Sequence, residues 1–171
     1  MTAIPTLTTS RLTLRPMCVD DWDAYHRLMT SERALYMGGP FSASVAWGMF
    51  CSDHAQWSLF ECGGLMIENA ANGDCLGQVG ISYGPLFPEW ELGWLLYPEA
   101  EGQGFAYEAA IALRAWGKDV RRLETLVSYI DPENTRSARL AERLGARLDA
   151  SAKRPDPTDL VYRHFGQAKA N

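Results

Sequence analysis

The 171-residue sequence has no pair of cysteines at Cys-x-x-Cys spacing. Its four cysteines are Cys18, Cys51, Cys62 and Cys75. Only His54 stands near one of them, and two ligands do not make a zinc site, so no metal is expected. Buried, reduced thiols are the expectation, as in a reducing compartment. A positive excess is also missing: 16 Lys and Arg face 21 Asp and Glu, for a net charge of −5. That balance argues against nucleic acid as a partner, because neutralising phosphates needs a concentrated basic surface. No apolar run approaches membrane-spanning length, and the first residues lack the apolar core of a leader peptide. A protein without a membrane partner, located in the cytoplasm, is expected. Low-complexity tracts, internal repeats and linkers are absent too. The length therefore suggests one domain over 1–171, with its core at about 10 to 165.

What is present alternates between strand and helix signals. Residues 11–15 place Leu12 and Leu14 on one face and read as a strand closed by Pro16. Asp20 or Asp21 can cap a helix bearing Trp22, Tyr25, Leu28 and Met29, and Ser42 can cap a second helix reaching about Trp57. Residues 65–68 and 76–83 flank Asn72-Gly73 and read as a hairpin. A strand over 89–97 ends at Pro98 and leads through a Gly-rich segment into a helix reaching about Lys118. Residues 123–130 read as a strand. Asp131-Pro132 opens a helix that stops at Gly145, and 146–150 and 160–165 are closing strands. The order β-αα-βββ-α-β-α-ββ predicts an α/β fold, a mixed sheet of about seven strands with about four helices.

The chemistry concentrates between Trp90 and Ala110. A strand, a turn containing Gly102 and Gly104, and a helix N-terminus follow one another there. Unpaired N–H groups at a helix N-terminus carry partial positive charge and bind phosphate without a basic side chain. A Walker A loop is excluded because no Gly-Lys-Ser/Thr ends the segment. A Rossmann fingerprint is excluded because Tyr107 stands where its third Gly or Ala belongs.

The segment Glu101-Gly-Gln-Gly-Phe-Ala106, after Leu96-Tyr97-Pro98, resembles the pyrophosphate loop of the GNAT acetyltransferase superfamily. The usual pattern there is Arg/Gln-x-x-Gly-x-Gly/Ala. Ser10 to Pro16, Glu91-Leu-Gly-Trp94, Asn134-Thr-Arg-Ser137 and Leu144-Gly145-Ala146 resemble, in order, the RimJ/RimL-like branch of ribosomal-protein N-terminal acetyltransferases. Three positions depart from the pattern: Glu101 replaces Arg or Gln, Tyr107 replaces the usual Thr, and Ala141 stands where many members carry a tyrosine acid. The resemblance implies a mostly antiparallel sheet splayed between the 89–97 and 123–130 strands, with acetyl-CoA as co-substrate. It implies cofactor contacts from Leu95, Leu96 and Tyr97, from Glu101, Gly102, Gln103, Gly104, Phe105 and Ala106, and from Asn134 and Ser137. A backbone N–H near residue 96 would serve the thioester carbonyl. Members of the family occur as monomers or homodimers.

Acetyl transfer needs a neutral amine, a polarised thioester carbonyl and a protonated leaving thiolate. Glu91 is the candidate base, sharing a strand face with Gly93 and Leu95; a surface ion pair is the competing reading. Ser137 is the candidate for meeting the departing sulfur, against a serine that merely bonds the preceding turn. Arg139 and Arg143 could reach the CoA 3′-phosphate or simply face solvent, and the latter is favoured. His26, His54 and His164 read as structural. Trp90, Trp94, Tyr83 and Phe87 could line an acceptor cleft or pack. An α-amine, titrating near pH 7.7–8.0, is easier to deprotonate than a lysine side chain near 10.4. A protein or peptide N-terminus is therefore the expected acceptor. The alternatives are a small-molecule amine (antibiotic, polyamine or amino-acid-like) and a non-catalytic acyl-CoA-binding domain.

Overall fold

The computed structural model describes residues 3–167. Its strands are β1 (Leu7–Thr8), β2 (Leu12–Pro16), β3 (Gly64–Asn69), β4 (Cys75–Gly84), β5 (Phe87–Leu96), β6 (Leu126–Ile130), β7 (Arg147–Leu148) and β8 (Leu160–Phe165). Four α-helices join them: α1 (Trp22–Met29), α2 (Ala43–Phe60), α3 (Phe105–Asp119) and α4 (Thr135–Arg143). The strands form one sheet in the order β1-β2-β3-β4-β5-β6-β8-β7. Every neighbouring pair is antiparallel except β5–β6, the pair bridged by α3. Strand alternation sorts the two faces. On β3, Leu65 and Ile67 join Leu113 and Ala109 of α3, while Met66 joins Tyr25, Met29 and Phe50 of α1 and α2. Among the described residues, no helix is long and apolar enough to cross a membrane.

The parallel junction positions the site. Only Glu91 and Val127 pair across it. Beyond them β5 stays with β4 and β6 stays with β8, so the two strands diverge. Tyr97 N donates to Leu76 O at 2.8 Å on the β4 side. The Leu92 carbonyl instead accepts from Ser128 Oγ, 2.5 Å away on β6. Amide directions alternate along a strand, so the N–H groups of Trp94 and Leu96 turn toward the open gap. Because the Ser128 hydroxyl spends its hydrogen on Leu92, His164 Nε2, 2.9 Å from Ser128 Oγ, must donate. His164 Nδ1 is left buried without a partner. Burial, reinforced by Arg114, lowers the His164 pKa to about 4, and the ring stays neutral.

Several boundaries differ from those predicted. The two-residue β1 was not expected, and β7 spans two residues rather than 146–150. The strand predicted over 123–130 starts at Leu126, because Arg122 takes a left-handed φ of 54° and Leu123 N closes onto Gly117 O. The last helix starts at Thr135, not at Pro132. Asn134 N bonds Asp131 O, which makes 131–134 a turn, and Asn134 Oδ1 then caps the helix through Ser137 N at 3.2 Å.

Candidate active site

Two cavities meet where β5 leaves β6. One, of about 490 Å³, runs between Leu95 and Leu96 of β5, Ala106 of α3 and Leu140 of α4. The other, of about 500 Å³, lies between β5, β6 and the α1–α2 layer. Trp94, Leu95, Asn134 and Ser137 line both, as do Leu35, Tyr36 and Met37 from the segment before α2. Room in the second cavity comes from a row of glycines across three strands. Gly64 pairs with Gly80, Gly80 pairs with Gly93, and all three line the space.

The first cavity fits the expected cofactor. Leu95, Leu96, Glu101, Ala106, Asn134 and Ser137 line it together. The loop before α3 holds Gly102 at φ 75° and Gly104 at φ 81°, and a Cβ on Gly102 would meet only open space. These left-handed positions turn the backbone so that the N–H groups at the start of α3 stay uncovered. The Gln103 carbonyl is held by Arg11 Nη1 at 3.0 Å, and its side chain donates to Glu99 O at 3.1 Å. Two residues expected along the cofactor point elsewhere. The Phe105 ring is buried in the core under the Arg11 guanidinium. The Tyr97 ring packs with Met17, Tyr25 and Met66, with its hydroxyl buried and unpartnered. Both can offer only backbone to the groove.

Glu101 is bound by two guanidiniums that the sequence did not single out, Arg33 Nη2 and Arg136 Nη1 (the latter at 3.0 Å). Partial burial works against its charge, but the arginines prevail and hold the carboxyl below the usual carboxylate range. Arg33 and Arg136 both line the first cavity. Arg143 lies over the Tyr107 ring, and Arg139 is exposed.

Glu91 lines the second cavity, where Gly93 leaves it room. A Cβ on Gly93 would stand 3.4 Å from both carboxylate oxygens. Burial, then the negative charges of Asp53 and Asp159, push its pKa to about 8, and no hydrogen-bond donor offsets them. Asp53, on α2, shares the space; burial raises it to about 6, against hydrogen bonds from Gln78 and Tyr25. Those bonds are 3.2 Å from Gln78 Nε2 and 3.4 Å from Tyr25 Oη, both to Oδ2. Ser137 Oγ accepts from Trp94 Nε1 at 3.3 Å, which places its hydroxyl where the two cavities join.

Other expected residues are scattered. Phe87 and Trp94 line the second cavity, whereas Tyr83 and Trp90 stack on each other at 4.2 Å. His26 stacks on Trp22, and His54 lines a separate shallow apolar hollow. Ala141 is fully buried. Asp53, Asp131, Asp156 and Asp159, all lining the second cavity, were not anticipated. Asp53 had a signal, since it lies one helical turn from the inward-facing Met49 and Trp57, inside an apolar stripe. Asp156 and Asp159 come from a loop with none.

This arrangement matches known proteins. The chain shares 26% identity with the uncharacterized N-acetyltransferase YnaD of Bacillus subtilis, over 88% of each chain. A solved acetyltransferase from Agrobacterium tumefaciens superposes with a TM-score of 0.93 at 53% identity, covering 98% of this chain and 97% of that one. RimL, a ribosomal L7/L12 α-N-protein acetyltransferase solved with coenzyme A, shares the fold at TM-score 0.73 and 18% identity, over 97% and 99% of the chains. Residues 11–147 match the family model described as acetyltransferase (GNAT) domain, and the chain belongs to that family of N-acetyltransferases.

Proposed function

We propose that the chain moves the acetyl group of acetyl-CoA onto a primary amine within the cleft between β5 and β6, with Glu91 as base and Ser137 beside the leaving sulfur. The observation that carries this reading is the free edge of β5. The Trp94 and Leu96 N–H groups point into a gap bounded by Glu91 on one side and Ser137 on the other. Pantetheine amides can hydrogen-bond along that edge as an added strand would, and an N–H there can stabilise the oxyanion formed at the thioester carbonyl. The amine nitrogen attacks the carbonyl carbon as the carbon–sulfur bond breaks. The Glu91 carboxylate takes the surplus amine proton. Trp94 Nε1 donates to Ser137 Oγ, so the Ser137 hydroxyl hydrogen is left to serve the departing thiolate. Leu95, Leu96 and Ala106 flank the pantetheine, the 102–104 loop and the first turn of α3 hold the pyrophosphate, and Asn134 has its Nδ2 left to donate once Oδ1 caps α4.

A base near pH 8 suits an α-amine, which titrates near 7.7–8.0. The likeness of the N-terminal segment to the RimJ/RimL branch also supports a protein or peptide N-terminus as acceptor. A specific observation favours a second reading, a small-molecule amine: the acceptor side is a cavity of about 500 Å³ whose lining contains five carboxylates.

The test is thiol release from acetyl-CoA with an amine panel, followed over pH. For the native chain kcat should rise through about pH 8 as Glu91 ionises. Asp53 and Asp159 are the charged groups acting on it. Glu91→Gln should lose that limb and at least roughly a hundredfold in kcat, while acetyl-CoA still raises the melting temperature by several degrees. An unchanged limb in Glu91→Gln removes Glu91 from the base role. No thermal shift with acetyl-CoA removes the cofactor assignment.

A further inference from the structure

The two cavities share a wall, and a single ion pair ties that wall to the rest of the molecule. Leu35, Tyr36 and Met37 line both cavities, yet they are 52%, 43% and 39% exposed. The buried side chain of their 32–37 segment is Ala34. Its backbone bonds are local: Ala34 N to Ser31 O, Gly38 N to Leu35 O and Gly39 N to Ala34 O. Among the described residues, one side-chain hydrogen bond or ion pair leaves 32–37 for another element. It runs from Arg33 Nη2 to Glu101 Oε1. A stretch with so little burial and only local bonds opens at low cost unless something outside it holds it.

Glu101 is the far end of that tether. It follows the 98–100 turn, ahead of the loop that opens α3. Its other oxygen, Oε2, accepts from Arg136 Nη1 in the first turn of α4 at 3.0 Å. One carboxylate therefore joins the shared wall, the Gly-rich loop and α4. Each guanidinium has its own oxygen, so one can be removed without releasing the other. The departure of residue 101 from the Arg or Gln of the family pattern acquires a purpose here. An arginine would repel both guanidiniums, and a glutamine would offer one acceptor oxygen to two of them. A guanidinium carries five N–H donors, so Arg33 can keep Glu101 and still present others to the cavity it lines.

We propose that Arg33 is a positioning residue for the acceptor: tied to Glu101, it fixes Leu35, Tyr36 and Met37 as the wall against which the amine is held. This rests on the N-acetyltransferase reading above. Arg33 touches no reacting atom, and its effect on the amine passes through the backbone of 33–37.

The experiment compares Arg33→Gln, Glu101→Gln and Arg136→Gln in two assays. Hydrogen exchange of the free protein, read at the Ala34, Gly38 and Gly39 amides, needs neither substrate. Steady-state thiol release uses acetyl-CoA with an α-amino peptide and with a primary alkylamine, and KM is taken for whichever turns over faster. Arg33→Gln and Glu101→Gln should each quicken exchange at the three amides and raise the amine KM, by about three- to fivefold, the scale of a half-exposed ion pair. Arg33→Lys keeps the charge without the fork and should recover part of both effects. Arg136→Gln removes a guanidinium from the same carboxylate and the same cavity but not from the wall, so it reports the consequence for acetyl-CoA alone. The signature of the tether is Glu101→Gln tightening acetyl-CoA while weakening the amine. Unchanged exchange at the three amides in Arg33→Gln overturns the proposal. So does an amine KM that rises equally in Arg136→Gln, or one that stays native in Glu101→Gln. Faster exchange with no transfer to either amine from the native protein upholds the tether and overturns the transferase reading instead.

Discussion

Glu101 shows how a single side chain can alter a phosphate site without adding or removing a backbone donor. It stands where the family pattern has Arg or Gln, and an isolated carboxylate there would repel a pyrophosphate. The structure neutralises it with Arg33 and Arg136, so the local charge is net positive. Those two guanidiniums line the cavity proposed to hold CoA, and in that reading CoA phosphates would compete with Glu101 for them. Glu101→Gln frees both arginines while keeping a polar side chain. Its Kd for acetyl-CoA should fall by about three- to tenfold at low ionic strength, roughly 1 kcal/mol, because half-exposed ion pairs contribute little. The gain should shrink as salt rises. Calorimetric titration decides: an unchanged or higher Kd would mean that Arg33 and Arg136 do not meet the phosphates.

At the scale of elements, the separation of β5 from β6 depends on a side chain standing in for a missing ladder bond. Ser128 Oγ reaches the Leu92 carbonyl at 2.5 Å, one step past the single paired register, and His164 locks the hydroxyl from behind. Ser128→Ala leaves the Leu92 carbonyl and His164 Nε2 without partners. It should cost about 1–3 kcal/mol, seen as a lower urea midpoint. It should also raise KM for acetyl-CoA, because the Trp94 and Leu96 amides lose their anchor. A mutant of native stability and native KM would mean that backbone packing alone sets the gap. Local signals made much of this layout readable in advance. Pro98, Gly102 and Gly104 mark the strand, the loop and the start of α3, and strand alternation was enough to put Glu91 with Gly93. Asn72-Gly73 located the β3–β4 connection, although the loop spans 70–74 rather than a two-residue turn. What could not be read is register. The glycine row that opens the cavity exists only because Gly64, Gly80 and Gly93 come abreast across three strands. Arg33, Asp53 and Asp159 reach the site from segments far apart in sequence. Tyr97 and Phe105 show the converse: the motif sets them along the cofactor, but their side chains belong to the core.

Across the whole molecule, the carboxylates fall into two groups whose pH effects on stability oppose each other. Glu101, Glu89, Asp21 and Glu108 are held below their usual range by arginines and other donors. Their stabilisation is present above the unfolded carboxylate pKa and is lost as pH falls below it. Glu91 and Asp53 behave oppositely. Their folded values of about 8 and about 6 exceed the unfolded values near 4, so the folded state retains protons that the unfolded chain has already released. Stability from this pair is greatest at low pH and declines as pH rises, for Glu91 until about pH 8. His164, neutral when folded down to about 4, acts the other way below its unfolded pKa of about 6.5, so the native profile mixes all three. Comparing Glu91→Gln with the native chain isolates one group. The variant should become progressively more stable than native from pH 5 to pH 8.5, by about 1–2 kcal/mol at the upper end once water in the open cleft is allowed for. The difference should level off beyond that. If Glu91 is the base proposed above, it should do so while losing turnover, because the ionisation that weakens the fold would be the one that prepares the base. Denaturant unfolding at each pH measures the gap, and a variant less stable than native at pH 8.5 would show that the Glu91 carboxylate is satisfied in the folded protein and not held there at a cost.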